Sequence, residues 1–168
     1  MVKFIFDLDY TLYGKNMFTE HNNEDVYYSS FHPSHFNFLK KLLKTIKEKK
    51  YILTNANEAH ALLLLGPEKM NLLSIFSRIL ANDTISPYEN YYKPDPIVFN
   101  EAIKRFKIKK NETVYFFEDT PENLEMAKRR YSWKTILISN TLPQDTTYID
   151  YVFRDIETAL MYFIRNLS

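Results

Sequence analysis

Two pairs of acids in this chain are spaced as if to work on a charged substrate: Asp7 and Asp9, separated by one leucine, and the adjacent Glu118-Asp119. Between them in sequence lie Thr54-Asn55 and Lys93. Carboxylates gathered in one place can hold a hard divalent cation, and magnesium in particular prefers carboxylate, water and phosphate oxygens. A phosphate monoester needs that help, because its own charge repels anionic nucleophiles and its uncatalysed hydrolysis is extremely slow. Asp7 and Asp119, with Glu118 beside them, are the expected metal ligands. Asp7 can attack phosphorus with its other oxygen and so divide one hard step into two easier ones. Asp9 can protonate the leaving oxygen and later accept a proton from water, and its backbone carbonyl can join the metal ligands. Thr54 and the Asn55 backbone can hydrogen-bond phosphate oxygens. Lys93 can neutralise charge at the nucleophile and on the transferring group.

These residues matter only if the fold brings them together. Val2 to Phe6 is a short run of strand formers that ends at Asp7. Tyr51 to Leu53 ends at Thr54, Arg78 to Ala81 precedes the loop that leads to Lys93, and Thr113 to Phe117 ends at Glu118. Thr135 to Ile138 and the short Tyr151 to Phe153 complete the strand set. Between them the pattern predicts helices from Pro33 to about Lys49, over 58–65, over 68–76 after Gly66-Pro67, and over 96–106, 121–130 and 156–167. Such alternation implies right-handed crossovers and a largely parallel sheet, a doubly wound α/β architecture. Ligands of such sheets gather beyond the carboxyl ends of the strands, where all these polar residues fall.

Composition narrows the alternatives. The 168 residues suit one domain, 1–168, and 45% hydrophobic residues can fill its core. With only 2 Gly the chain cannot build a Gly-rich phosphate loop, which excludes P-loop and dinucleotide fingerprints. It has no Cys, hence no disulfide framework and no thiolate metal site. Net charge is +1, and the basic run from Lys40 to Lys50 reads as a solvated helix face, so no nucleic-acid partner is expected. No signal-peptide pattern and no membrane-length apolar run is present, and a cytoplasmic location without a membrane partner is expected. Residues 14–32 are polar, aromatic and irregular, a flap or loop in which Phe18, Tyr27, Tyr28 and Phe31 stand out.

Asp7-Leu8-Asp9-Tyr10-Thr11-Leu12, Leu53-Thr54-Asn55, Lys93-Pro94-Asp95-Pro96 and Phe116-Phe117-Glu118-Asp119 resemble, in order, the four motifs of the haloacid dehalogenase superfamily. The resemblance covers roughly residues 2 to 156. It implies a Rossmann-like core, Mg2+ as cofactor and an aspartyl-phosphate on Asp7, and it makes Thr11 a stiffener of the loop carrying Asp9. An acid at Asp9 is similar to the phosphatases of the superfamily, whereas its dehalogenases lack one. Within the phosphatases, the motifs resemble pyrimidine 5′-nucleotidases of the yeast and plant type more broadly than small capless phosphatases. Nucleotidases of that group carry a helical cap between the first two motifs, and residues 14–50 leave no room for one. An open site is expected, with a small phosphorylated substrate such as a nucleoside 5′-monophosphate; a homo-oligomeric partner or the aromatic flap would then supply what a cap supplies. The competing readings are a capless phosphatase for phosphoproteins or nucleic-acid ends, an inactive binding module of this fold, and a phospho-acceptor receiver domain, which would open with an adjacent acidic pair. Among the remaining polar residues, Asn123 lies one turn past Asp119 as a helix-surface amide or a ligand-orienting one. His32 and His35 read as structural, and His21 and His60 carry no pattern.

Overall fold

A computed structural model of the chain describes residues 1–14 and 24–166. Six parallel strands form one sheet, in the order β3-β2-β1-β4-β5-β6. The strands are β1 (Val2–Phe6), β2 (Lys49–Leu53), β3 (Arg78–Leu80), β4 (Thr113–Glu118), β5 (Lys134–Ile138) and β6 (Tyr151–Phe153). Helices α1 (Glu24–Ser29), α2 (Asn37–Thr45), α3 (Glu58–Leu65), α4 (Pro96–Arg105), α5 (Pro121–Tyr131) and α6 (Ile156–Asn166) connect or flank them. This is the doubly wound α/β core that the strand and helix alternation predicts.

Both faces of the sheet are covered, so its central strands can be apolar at every position. In β1, Phe4 and Phe6 face a core shared with α2, α3 and α6, through Leu39, Leu43, Leu64, Leu160 and Phe163. Ile5, between them, faces the other core with Phe99 of α4 and Leu124 of α5. Period-two alternation along one strand therefore feeds two cores at once.

The order in which strands are added reverses between β1 and β4. From β1 the winding goes outward through β2 and β3, then returns to β4 and continues outward through β5 and β6. The resulting crevice opens at the carboxyl ends of β1 and β4, the switch point of a doubly wound sheet. Phe6 pairs with Phe117 in register, and Asp7 N–H continues the ladder onto Phe117 O at 2.9 Å.

Two expected helices are shorter or absent. The segment from Pro33 opens as a 3-10 turn (Pro33–Phe36), and α2 ends at Thr45 rather than near Lys49. Ile46 is extended, and Lys50 Nζ turns back to donate to Ile46 O and Glu48 O, which satisfies carbonyls at that end. Lys49 and Lys50 belong to β2, so the basic run is helix surface only over its first part. Residues 68–76 form no α-helix. Their N–H groups fold back on the end of α3, Met70 to Leu64 O and Leu72 to Leu65 O, with Asn71 left-handed at φ 55° and a 3-10 turn at Leu73–Ile75. Within the expected flap, residues 24–29 are helical, Phe31 is buried, and Tyr27 and Tyr28 pack partly against the core; Phe18 lies outside the described residues.

Candidate active site

Asp7 emerges from β1 with 6% of its surface exposed, and both its oxygens are engaged. Lys93 Nζ donates to Oδ1 at 2.7 Å, and Thr11 Oγ1 donates to Oδ2 at 3.0 Å. Thr11 is one helical turn beyond Asp7, so it braces that carboxylate directly. Each oxygen retains acceptor capacity, because a carboxylate has about four lone-pair directions.

Lys93 is the hub of the buried charges. Its three protons go to Asp7 Oδ1, to Glu118 Oε2 at 2.7 Å and to Leu53 O at 2.8 Å. Its backbone is clamped by Asn55, whose Oδ1 accepts from Lys93 N at 2.6 Å and whose Nδ2 donates to Lys93 O at 3.1 Å. The Asn55 side chain is thus spent on placing Lys93. Asn55 O is in turn held by Asn82 Nδ2 at 2.8 Å. Thr54 is buried at the end of β2, and its hydroxyl accepts from Ala56 N at 3.0 Å. Asp95, in the third motif, caps α4 by accepting from Ile97 N, with Pro96 in the first helical position.

Glu118 is fully enclosed and engaged on both sides. Oε2 accepts from Lys93 and from Asn123 Nδ2 at 3.0 Å, and Oε1 accepts from the backbone N–H groups of Asp119 and Thr120, each at 3.1 Å. Asn123 therefore positions Glu118 from the first turn of α5. Asp119 is half-buried beside it.

Asp9 is held by a separate set of side chains. Its Oδ1 accepts from the Tyr13 hydroxyl and lies 2.8 Å from His60 Nε2. His60, in the first turn of α3, is the residue that spacing alone missed.

Electrostatics follow from this packing. Burial pushes the Asp7 carboxyl up to about 7, and the Glu118 charge adds to the rise, against a smaller opposing pull from Lys93. Burial raises Glu118 as well, again opposed by Lys93. Burial would lower Lys93, but the two carboxylates outweigh it and hold the ammonium above its ordinary value. Asp9 goes the other way: burial raises it, yet hydrogen bonds from His60 and Tyr13 prevail and keep it below the usual carboxylate range.

Two buried acids share one lysine, and Asp119 adds a third carboxylate. Oxygens of Asp7, Glu118 and Asp119 lie within 4.8 Å of one another. An all-oxygen set of this charge fits a hard divalent cation; Glu118, whose oxygens already accept four hydrogen bonds, adds its charge to the set rather than a lone pair. Asn123 Oδ1 supports the fit, being a buried acceptor with no partner among the described residues, which a cation's water would satisfy. A groove of about 700 Å³ runs off Asp119 between Tyr10, His35, Ser139 and Arg154.

The chain belongs to the haloacid dehalogenase-like hydrolase family, whose sequence model matches residues 32–129. That stretch holds Thr54, Asn55, Lys93, Glu118 and Asp119, and leaves Asp7 and Asp9 outside it. Solved structures share the fold at low identity. A HAD phosphatase from Thermococcus onnurineus is 16% identical over 99% of this chain and 97% of its own, with a TM-score of 0.63. An uncharacterized protein from Listeria monocytogenes serotype 4b is 17% identical over 99% of both chains, with a TM-score of 0.62. A dehalogenase structure matches at 17% identity and a TM-score of 0.57 over 84% of this chain, which spans only 55% of that dehalogenase. No curated protein matches in sequence. No described helix is long and apolar enough to cross a membrane.

Proposed function

We propose that this hydrolase is a Mg2+-dependent phosphomonoesterase that works through an aspartyl-phosphate on Asp7. The observation that carries the reading is Asp9, a second carboxyl two residues past the nucleophile, which supplies the acid and base that ester cleavage requires and halide displacement does not. Asp7 and Asp119 would hold the cation, with Glu118 and the Asp9 carbonyl beside them, and the cation when bound would neutralise charge on the phosphoryl oxygens. Lys93 and Thr11 hold the two Asp7 oxygens, so the nucleophile is oriented before substrate arrives. Asp9, a carboxylate in the free protein, takes up a proton from solvent as the anionic ester arrives beside it, and gives that proton to the departing oxygen while Asp7 attacks phosphorus. Asp9 then takes a proton from the water that hydrolyses the acyl phosphate and releases Asp7. The Thr54 hydroxyl and the Asn55 backbone serve the phosphate oxygens.

A single domain without a cap leaves the site open in this reading, with α1 packed on the core beside it. A small ester such as a nucleoside 5′-monophosphate is the substrate class proposed. The test is hydrolysis of an aryl phosphate with and without Mg2+, alongside Asp7→Asn. Turnover that needs both the metal and Asp7 supports the reading, and an inert wild type or an unaffected variant overturns it. A panel of nucleoside monophosphates, sugar phosphates and phosphopeptides then tests the substrate class. Preference for phosphopeptides would discard the nucleotide.

A further inference from the structure

Asp9 is held by two side chains, and each of these is held by one of two consecutive tyrosines of α1. Tyr13 donates to Asp9 Oδ1, and its hydroxyl is 2.6 Å from that of Tyr27. His60 Nε2 is 2.8 Å from the same Oδ1, and His60 Nδ1 is 2.9 Å from the Tyr28 hydroxyl. With Tyr28 donating to Nδ1, the neutral ring carries its proton on Nε2, the nitrogen that faces Asp9. Two routes, through the β1–α1 connection and through α3, therefore converge on one carboxylate oxygen.

α1 is also tied down. Lys69 Nζ donates to Tyr28 O at 2.8 Å, and the Tyr27 ring packs 5.3 Å from Phe31. Phe31 is buried and stacks on Phe36 with an interplanar angle of 8°. A helix of six residues is too short to persist alone, so these contacts decide where it lies.

We infer that His60 and Tyr13 are positioning residues for Asp9, and that Tyr28 and Tyr27 of α1 act as a two-pronged clamp that fixes them. The inference rests on the phosphatase reading of Asp9 given above. Both hydrogen bonds fall on Oδ1, and among the described residues none falls on Oδ2. Fixing Oδ1 fixes the rotation of the carboxyl and presents Oδ2 to the substrate. In the first step the Asp7 oxygen–phosphorus bond forms and the bond from phosphorus to the leaving oxygen breaks. The leaving oxygen keeps that electron pair and takes the proton that Asp9 Oδ2 acquired from solvent when the anionic ester bound beside it. Asp9 is left as a carboxylate, still held through Oδ1 for the proton it takes back from water.

Leaving groups differ in their need for that proton. A nitrophenolate departs well without it, whereas an alkoxide does not. The experiment compares kcat/KM with Mg2+ for 4-nitrophenyl phosphate and for glycerol phosphate, in wild type, His60→Ala, His60→Gln, Tyr28→Phe and Asp9→Asn. His60→Ala should lose at least about 10-fold more on the alkyl ester than on the aryl ester, towards the larger imbalance of Asp9→Asn. His60→Gln, whose amide can still donate to Oδ1, should recover most of the loss, and Tyr28→Phe should fall between. Both esters are assayed on one preparation, so the ratio does not depend on how much of a variant is folded. Equal losses on the two esters, or no loss, would overturn the clamp while leaving the phosphatase reading intact. A wild type inert on both esters would overturn the reading and the clamp with it.

Discussion

Lys93 stands with its ammonium nitrogen 2.7 Å from Asp7 Oδ1, and the same nitrogen is 2.7 Å from Glu118 Oε2. The cation is 1% exposed, and the acids are 8% and 1% exposed. Three charges with a net of minus one are thus removed from water together at the end of two neighbouring strands. A fold selected for stability alone would put apolar groups there, since a buried ion cluster seldom recovers its desolvation cost. What it does is hold a carboxylate in one orientation beside acids that could bind a cation.

Removing the shared cation should be severe. Lys93→Met leaves two buried carboxylates facing each other, and the expected cost is about 3–5 kcal/mol of stability, with hydrolysis abolished. Urea unfolding at about pH 9, above the raised Asp7 value, measures it. A cost below about 1 kcal/mol would mean that the acids enter the fold already protonated.

Asp7 should make the cation-free protein sensitive to alkali. Its carboxyl is pushed up to about 7, chiefly by burial, from an ordinary value of 3.8. A group that binds its proton more tightly when folded stabilises the fold fully below the unfolded value, and that contribution is lost as pH rises through the folded one. Wild type in chelator should therefore weaken as pH climbs towards about 7 and above. Asp7→Asn should flatten this slope and gain about 1–3 kcal/mol at about pH 8, because Lys93 and Glu118 then form a balanced pair. Adding Mg2+ should raise the wild-type Tm and barely move that of Asp7→Asn. Thermal unfolding with and without the metal checks both, and equal metal shifts in the two proteins would remove Asp7 from the ligand set.

Much of this site was legible because it follows a topological rule. Polar residues directly after apolar strands must gather at one rim of a parallel sheet, and Asp7, Thr54 and Glu118 do so. Side-chain destinations were not legible. The Asn55 side-chain amide clamps the Lys93 backbone 38 residues away, a partner that no local pattern announces. His60 gave no signal because α3 (Glu58–Leu65) carries leucines all around, with Leu62 and Leu63 exposed and Leu64 and Leu65 buried, so periodicity could not say which face looks at Asp9. The helix expected over 68–76 fails for a tertiary reason, since its N–H groups are drawn to the carbonyls at the end of α3. Local propensity contains no information about that competition.

The Asn55 clamp should be worth more to rate than to affinity. Asn55→Ala leaves the Lys93 N–H and carbonyl without their reciprocal partner and frees the loop that delivers the ammonium to Asp7. The expected result is a fall in kcat of about 10²-fold with KM little changed, as for a misplaced catalytic group. The loss of stability should be about 1–3 kcal/mol. Steady-state kinetics on an aryl phosphate decides it: a rise in KM at constant kcat would mean that the Asn55 side chain binds substrate instead.

The far half of the sheet, away from the acids of the site, is held by an ion pair of its own. Asp150 receives Lys128 Nζ on both oxygens, at 2.7 and 2.8 Å, and accepts from Thr135 N at 2.8 Å, which ties α5 and β5 to the chain entering β6. Burial would raise its carboxyl, but the Lys128 and Thr135 hydrogen bonds prevail and hold it below the usual range. A depressed acid contributes stability that is present above its ordinary value of 3.8 and lost as pH falls through the folded one. Asp150→Asn keeps the shape and an acceptor for Thr135 but removes the charge that Lys128 answers. At neutral pH it should cost about 1–2 kcal/mol, and the gap to wild type should close below about pH 4 as the native carboxyl takes up its proton. Urea midpoints across that range measure the gap directly, and a cost that persists unchanged into acid would assign the loss to packing rather than charge.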